Sequence, residues 1–195
     1  MPVTRIPLPV NGGTTGYGLR ETGHVPVRIA TENDLPAILA IYNDAIENST
    51  AVFSYVPHTL EMRREWWDAK RKDGFPVLVA DANGEVAGFA TYGHFRSWPA
   101  YKYTVEHSVY TAPPFRRQGI AHNLMLALLE RARAQEYHAV IGGVVAENAA
   151  SIRLHQSLGF AEVAHFREVG FKFGRWLDLK FFELLLGTPA APTES

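Results

Sequence analysis

Residues 109–121 read VYTAPPFRRQGIA. A strand-like run gives way to two prolines and then to apolar residues at helical spacing. The start of a helix points backbone N–H groups outward, and the helix dipole adds partial positive charge there. Gly119 lets a phosphate approach the backbone, and Arg116 and Arg117 can add charge-assisted hydrogen bonds. The stretch alone fits either a pyrophosphate-binding loop or a solvated loop before a helix.

The elements on either side of this stretch predict a mixed α/β domain. Thr31 and Asp34 form a candidate capping box before the first helix, and Asn83-Gly84 predicts a hairpin turn. Strands are predicted at residues 25–30, 76–82, 85–92, 104–111, 139–145, 160–169 and 176–186, and helices at 35–46, 59–73, 119–135 and 148–158.

The composition indicates one ordinary globular domain. The chain has 195 residues, of which 47% are hydrophobic, and a formal net charge of −1. We expect neither nucleic acid nor membrane as a partner, because the charge is near neutral and no apolar run is long enough to span a bilayer. The absence of cysteine excludes disulfides and thiolate chemistry and fits the cytoplasm. Residues 1–24 are predicted as a flexible extension, 25–186 as the domain and 187–195 as a tail.

Two motifs resemble the landmarks of the GNAT superfamily of N-acetyltransferases. The pattern Arg-x-x-Gly-x-Ala at residues 116–121 resembles its acetyl-CoA signature, and NAASIRLHQSLGF at 148–160 resembles its second landmark. The runs at 48–53, 104–110 and 170–178 resemble the phosphinothricin and methionine sulfoximine acetyltransferase branch. The resemblance extends over nearly the whole predicted domain.

This resemblance implies a GNAT fold with acetyl-CoA as co-substrate. The central sheet is expected to be mixed and mainly antiparallel, flanked by helices, and splayed between the strands at 104–111 and 139–145, where acetyl-CoA enters. A homodimer and a small-molecule amine substrate are also implied. No metal is expected, because the eight histidines show no metal-binding spacing such as HExxH.

In this family the strand before the signature pairs its backbone with the pantetheine arm of acetyl-CoA. The resemblance implies this role for the main chain of Val109 and Thr111, with an N–H near Val109 facing the thioester oxygen. Asn148 is implied as a partner of the pantetheine amides, as a helix N-cap, or as both. The residues implied for acetyl-CoA binding are Val109, Tyr110, Thr111, Arg116, Arg117, Gln118, Gly119, Ile120, Ala121, Asn148 and Ser151.

The resemblance also implies two catalytic residues. Glu106 is the candidate general base, because a protonated amine cannot attack a thioester and partial burial raises the pKa of a carboxyl group. The alternatives for Glu106 are a structural carboxylate and an anchor for the substrate ammonium. His155 stands where many GNAT enzymes have a tyrosine that protonates the departing thiolate. It is therefore either that acid or a histidine near coenzyme A without an acid role.

Further residues are implied for substrate binding beside Glu106. Arg96 can hold an α-carboxylate through two parallel hydrogen bonds, or it is a solvated loop arginine. Phe53 and Tyr103 line the substrate pocket or belong to the core, and His107 adjoins the base. The implied reaction is acetyl transfer to the α-amine of phosphinothricin, methionine sulfoximine or a similar compound. The alternatives are acetylation of a polyamine or a protein N-terminus, and acyl-CoA sensing without turnover.

Overall fold

The computed structural model describes residues 25–194, so the extension predicted at residues 1–24 lies outside the described residues. The strands are β1 (Val27–Ile29), β2 (Val77–Ala82), β3 (Glu85–His94), β4 (Thr104–Thr111), β5 (Ala139–Val145), β6 (Ala161–Lys172) and β7 (Arg175–Leu185). They form one seven-stranded sheet in the order β1-β2-β3-β4-β5-β7-β6. Neighbouring strands are antiparallel except for β4 and β5, which are parallel. The mixed, mainly antiparallel sheet predicted from the sequence is therefore confirmed.

The helices begin at the capping signals that the sequence provides. They are α1 (Leu35–Asn48), α2 (Leu60–Lys72), α3 (Ile120–Ala134) and α4 (Ala149–Ser157). The Thr31 N–H donates to the Asp34 carboxylate at 2.6 Å, and this contact closes a short 3₁₀ turn from which α1 continues. The Thr59 hydroxyl accepts from the Met62 N–H at 3.2 Å and caps α2.

The helices cover both faces of the sheet and enclose two main cores. On one face α3 buries Leu124 and Leu128 against β3, β4 and β5. On the other face α1 and α2 bury Ile38 and Trp67 against Phe89 of β3. A fully buried side chain of this size contributes about 1.5–3 kcal/mol by leaving water, so the two layers fix β4 in the middle of the molecule.

The β6–β7 hairpin is longer than the sequence predicts. The strands were expected to end at residue 169 and to resume at residue 176, whereas β6 reaches Lys172 and β7 begins at Arg175. The chain reverses through Phe173 and Gly174, whose φ angles of 50° and 74° suit a two-residue hairpin turn. The predicted strand stops just before Gly170, where a Cβ would clash with the Phe53 ring. The glycine therefore makes room for a packed side chain and does not end the strand.

Candidate active site

The sheet opens between β4 and β5, where these two parallel strands stop pairing. In the described chain their ladder has three residue pairs and ends at Glu106 and Ile141. Residues 107–111 pair with β3 on the other side of β4, so their remaining main-chain N–H and C=O groups face the gap. An extended ligand can pair with such groups as an additional strand would. The predicted splay is confirmed.

A cleft of about 510 Å³ lies at this gap. It is bounded by α1 and the loop after it, by β4, and by the first turns of α3 and α4. The predicted acetyl-CoA residues that line it are Val109, Tyr110, Thr111, Arg116, Arg117, Gly119, Ile120, Ala121, Asn148 and Ser151. Gln118 is absent from this lining, because its side chain turns away and donates to the Pro114 carbonyl at 2.9 Å.

Sequence reasoning did not assign the α1 side of this cleft. Ala45, Ser49 and Ala51 line it together with β4 and α3. The resemblance of residues 48–53 to the acetyltransferase branch was the signal that could have identified this wall. This motif contains no chemically reactive side chain. The sequence alone therefore does not indicate what residues 48–53 contact.

The loop before α3 has the backbone geometry of an anion site. Arg117 and Gly119 have φ angles of 62° and 81°, both in the left-handed region. Successive N–H groups in such a turn form a concave nest, and the positive end of the α3 dipole adds to it. A Cβ on Gly119 would meet nothing within 4 Å, so the space beside this backbone is open. Arg116 donates to the Asp44 carboxylate at 2.7 Å, which fixes its guanidinium against α1.

Asn148 begins α4 at the opposite wall of the cleft. Its side-chain oxygen accepts from the Ser151 N–H at 3.0 Å, so Asn148 is a helix N-cap. Its amide nitrogen keeps its donors for another partner. The N-cap alternative is thus correct, and it leaves room for a cofactor contact.

Glu106 is half-buried on β4, at the end of the β4–β5 ladder. Burial raises the pKa of its carboxyl group, and the positive charge of Arg96 partly opposes that rise. Gly143 of β5 leaves space beside it, since a Cβ there would lie 3.5 Å from Glu106 Oε1. A carboxylate with a raised pKa is a better proton acceptor than an ordinary surface glutamate.

His107 and His155 form a buried pair on the other face of β4. Their Nε2 atoms lie 3.0 Å apart, and His155 Nδ1 lies 2.7 Å from the Ser151 carbonyl. A carbonyl only accepts, so His155 carries its proton on Nδ1 and accepts at Nε2 from the Nε2–H of His107. Burial lowers the pKa of both rings, that of His107 to about 3, with the neighbouring His155 contributing to the His107 shift. Both rings are therefore neutral near pH 7.

This pair changes two of the predicted roles. Side chains alternate along a strand, so His107 points away from the face of Glu106. His107 is 7% exposed, which places its ring in the core and favours a structural role over a substrate contact. His155 is 2% exposed, and its Nε2 accepts a hydrogen bond from His107. Its position therefore suits a contact that fixes α4 to β4 better than direct proton donation to a thiolate.

None of the remaining substrate candidates, Arg96, Phe53 and Tyr103, lines this cleft. Arg96 borders a second cavity, of about 330 Å³, that also includes Ile141, the strand partner of Glu106. The Phe53 ring packs against Gly170 at the end of the β6–β7 hairpin. The Tyr103 hydroxyl donates to the Thr193 carbonyl at 3.2 Å, so this side chain is directed toward the C-terminal tail. Aromatic side chains dominate the second cavity, namely Phe95, Tyr101, Phe166 and Phe181.

Residues 25–194 contain neither a metal-binding cluster nor a membrane-spanning helix. No group of three or more histidine, cysteine, aspartate or glutamate side chains there could hold a metal ion. No helix in that range has both the length and the apolar composition that crossing a membrane requires.

Known proteins that are similar to this chain in sequence or structure are described as acetyltransferases, in agreement with this geometry. The model of the acetyltransferase (GNAT) family matches residues 38–160. An L-methionine sulfoximine/L-methionine sulfone acetyltransferase of Pseudomonas paraeruginosa is 49% identical, over 85% of this chain and 98% of its own. A phosphinothricin acetyltransferase from Sinorhizobium meliloti, solved in complex with acetyl-CoA, is 32% identical with a TM-score of 0.83, over 87% of this chain and 93% of its own. A ribosomal-protein-alanine N-acetyltransferase structure from Brucella melitensis is 48% identical with a TM-score of 0.81, over 83% and 99% of the two chains.

A splayed parallel strand pair beside a nest of backbone N–H groups can hold an extended amide arm and a pyrophosphate together, as an acyltransferase that uses a coenzyme A thioester requires. The chain belongs to the acetyltransferase (GNAT) family.

Proposed function

We propose that this protein transfers the acetyl group of acetyl-CoA to the α-amine of a small amino-acid-like substrate. One observation carries the proposal: the β4 backbone at residues 107–111, which is unpaired on its β5 side, runs directly from the half-buried carboxylate of Glu106. The names of the methionine sulfoximine and phosphinothricin relatives support an amino-acid analogue as the substrate.

In the proposed reaction acetyl-CoA lies along β4. The pantetheine arm hydrogen-bonds to the main chain of Val109 and Thr111, and the pyrophosphate binds the nest at Arg117 and Gly119. The Val109 N–H then donates to the thioester oxygen, whose negative charge grows as the amine attacks. The lining of the cleft includes Arg117 and the open backbone at Gly119, which suit an anionic group, and the main chain of Val109 and Thr111, which suits an extended amide arm.

Glu106 is the proposed proton acceptor. Val109 lies three positions further along β4, or about 10 Å, so an amine between them can lose its proton to Glu106 directly or through one water. The amine then attacks the thioester carbonyl, and the tetrahedral intermediate collapses with cleavage of the C–S bond. The proton that the nitrogen loses in this step goes to the departing thiolate, so coenzyme A leaves as the thiol. Arg96, whose charge acts on Glu106, is proposed to hold the α-carboxylate of the substrate.

A screen of amines tests this proposal against the two other acceptor classes. Release of free coenzyme A is followed with L-methionine sulfoximine, L-methionine sulfone, L-phosphinothricin, spermidine and a peptide with an N-terminal alanine. We expect turnover with the three amino-acid analogues and little with the polyamine or the peptide. Preference for the peptide would contradict the proposal and favour the activity named for the Brucella melitensis structure. Binding of acetyl-CoA without turnover of any amine would favour a sensor.

We also propose that the protein is a homodimer and works in the cytoplasm. The β6–β7 hairpin exposes a strip of large apolar side chains, with Phe173 and Trp176 57% and 61% exposed. Such a patch favours association, and a second copy is the proposed partner. Light scattering should give twice the monomer mass for the native chain and the monomer mass for Trp176→Glu. A monomeric native protein would contradict the dimer, and recovery outside the cytoplasmic fraction would contradict the location.

A further inference from the structure

Lys172 has an unusual position for a lysine. It is 3% exposed, and its ammonium donates to three main-chain carbonyls: that of Ile46 at 2.5 Å, Ser49 at 2.8 Å and Val52 at 2.7 Å. An ammonium has three N–H donors, so each of them has an acceptor. The three carbonyls belong to the last turn of α1 and the loop after it. This short segment is therefore folded around a single ammonium group.

The charge suits this place because the last carbonyls of a helix have no partner within the helix. Ile46 lies in the final turn of α1 and Ser49 is its C-cap. The negative end of the helix dipole also favours a cation there. Lys172 thus satisfies backbone groups that would otherwise be buried without hydrogen bonds.

Two neighbouring residues of β6 hold the same segment. Gly170 receives the Phe53 ring, and the Phe171 carbonyl accepts from the Tyr55 hydroxyl at 2.6 Å. The end of the β6–β7 hairpin therefore fixes residues 46–55 by one charge, one packing contact and one neutral hydrogen bond. Ser49 and Ala51, within this segment, line the cleft opposite α4.

We propose that Lys172 is a positioning residue for acetyl-CoA binding: its ammonium holds the loop after α1 in the conformation that forms one wall of the cleft. The inference rests on the proposed assignment of this cleft to acetyl-CoA. Lys172 itself does not line the cleft and has no part in proton transfer. Loss of the ammonium should weaken acetyl-CoA binding more than it slows the chemical step.

Lys172→Met is the first test, with Lys70→Met as the matched control. Lys70 also donates from its ammonium to a main-chain carbonyl, that of Tyr92 at 2.6 Å, but it holds no part of the loop. We expect Lys172→Met to raise the Kd and KM for acetyl-CoA roughly tenfold or more, with kcat at saturation nearly kept. Amide exchange should accelerate in residues 49–55 and not in β2–β5. Lys70→Met should lower stability and leave the acetyl-CoA Kd unchanged.

The absence of cysteine in the chain allows a sharper test. Lys172→Cys introduces a single thiol, which can be alkylated in denaturant with 2-bromoethylamine or with 1-bromopropane before refolding. The first reagent gives a thioether of lysine length with an ammonium, and the second gives a neutral one of the same size. We expect the aminoethyl protein to regain the native acetyl-CoA Kd and the propyl protein to resemble Lys172→Met.

Three outcomes would overturn the proposal. They are equal acetyl-CoA Kd values for Lys172→Met and the native protein, recovery of the native Kd in the propyl-modified protein, and failure of the proteins without the ammonium to fold at all. The last would assign the ammonium to global stability. Gly119→Trp separates this inference from the cleft assignment, because its indole would fill the phosphate nest. If Gly119→Trp abolishes binding and Lys172→Met does not weaken it, only the role of Lys172 is wrong. If Gly119→Trp binds normally, the cleft assignment itself is wrong.

Discussion

Gly142→Ala should disrupt the histidine pair at the point where β4 and β5 separate. A Cβ at this position would lie 2.5 Å from His107 Nε2 and 2.6 Å from His155 Nε2. Both distances are well inside van der Waals contact, and aromatic rings of the core pack around the pair. The two imidazoles cannot both keep their places, so their 3.0 Å hydrogen bond should break.

The magnitude follows from three contributions. Overpacking of a core costs about 1–3 kcal/mol, and loss of a neutral hydrogen bond costs about 0.5–1.5 kcal/mol. Alanine has less conformational entropy than glycine in the unfolded chain, and this difference offsets about 0.4–1 kcal/mol of the loss. Gly142→Ala should therefore lower the free energy of unfolding by about 0.5–4 kcal/mol. The KM for acetyl-CoA should also rise, because His155 fixes the helix that begins at Asn148.

Urea denaturation followed by circular dichroism measures the loss. Gly143→Ala is the matched control, because its Cβ would make only ordinary contacts, the nearest at 3.5 Å from Glu106 Oε1. Its stability should stay within about 1 kcal/mol of the native value. Removing one ring should relieve the clash, so Gly142→Ala should cost less in a His107→Ala background. Additive losses in the double variant would refute the reasoning.

Three further predictions concern Arg96 as the carboxylate-binding residue, the phosphate nest at Gly119 and stability at low pH. Arg96→Ala should raise the KM for the amino acid and leave the KM for acetyl-CoA nearly unchanged. If the bidentate pair is desolvated, its loss should lower kcat/KM for the amino acid by the equivalent of about 2–4 kcal/mol. An equal rise in both KM values would contradict this prediction. Gly119→Trp should abolish acetyl-CoA binding in calorimetry while circular dichroism remains native. The paired Arg28 guanidinium lowers the pKa of Asp34 to about 2, so Asp34→Asn should cost about 1–2 kcal/mol at pH 7. Because the pKa of Asp34 is lower in the folded than in the unfolded protein, its contribution to stability is present above about pH 4 and is lost toward pH 2. If the native protein and Asp34→Asn still differed as much in free energy of unfolding at pH 2, this prediction would be wrong.

Local signals in the sequence were sufficient for most of the fold. Asn83-Gly84 predicts the β2–β3 hairpin, and the two residues have the required positive φ angles of 56° and 87°. A phosphate-binding loop at Gly119 was one of the two alternatives that the local sequence offered, because a strand, a glycine and an amphipathic helix follow each other within a few residues. The splay between β4 and β5 was expected only from the resemblance to the GNAT superfamily. The error at the β6–β7 hairpin has a nonlocal cause, since the role of Gly170 depends on Phe53, which lies far away in the chain.

The details of the site that depend on pairs of distant residues were not predictable. His107 and His155 are 48 residues apart, and their pairing decides which nitrogen carries each proton. Lys172 and Ile46 are 126 residues apart, so the sequence around Lys172 gives no sign of three carbonyl partners. The sequence indicates which residue types are present, whereas these roles follow from which backbone atoms the fold brings within hydrogen-bonding distance.

The pH dependence of Glu106→Gln, measured with saturating acetyl-CoA and an amino-acid substrate, tests the central claim most directly. The substitution keeps the shape of the side chain and removes its basicity. The native rate should fall as pH decreases through the raised pKa of Glu106, because only the carboxylate accepts a proton. We predict that kcat of the variant falls about 10²–10⁴-fold, loses this acidic limb and recovers partly at high pH, where the amine arrives deprotonated. A variant with native kcat across the profile would contradict the account and exclude Glu106 as the base.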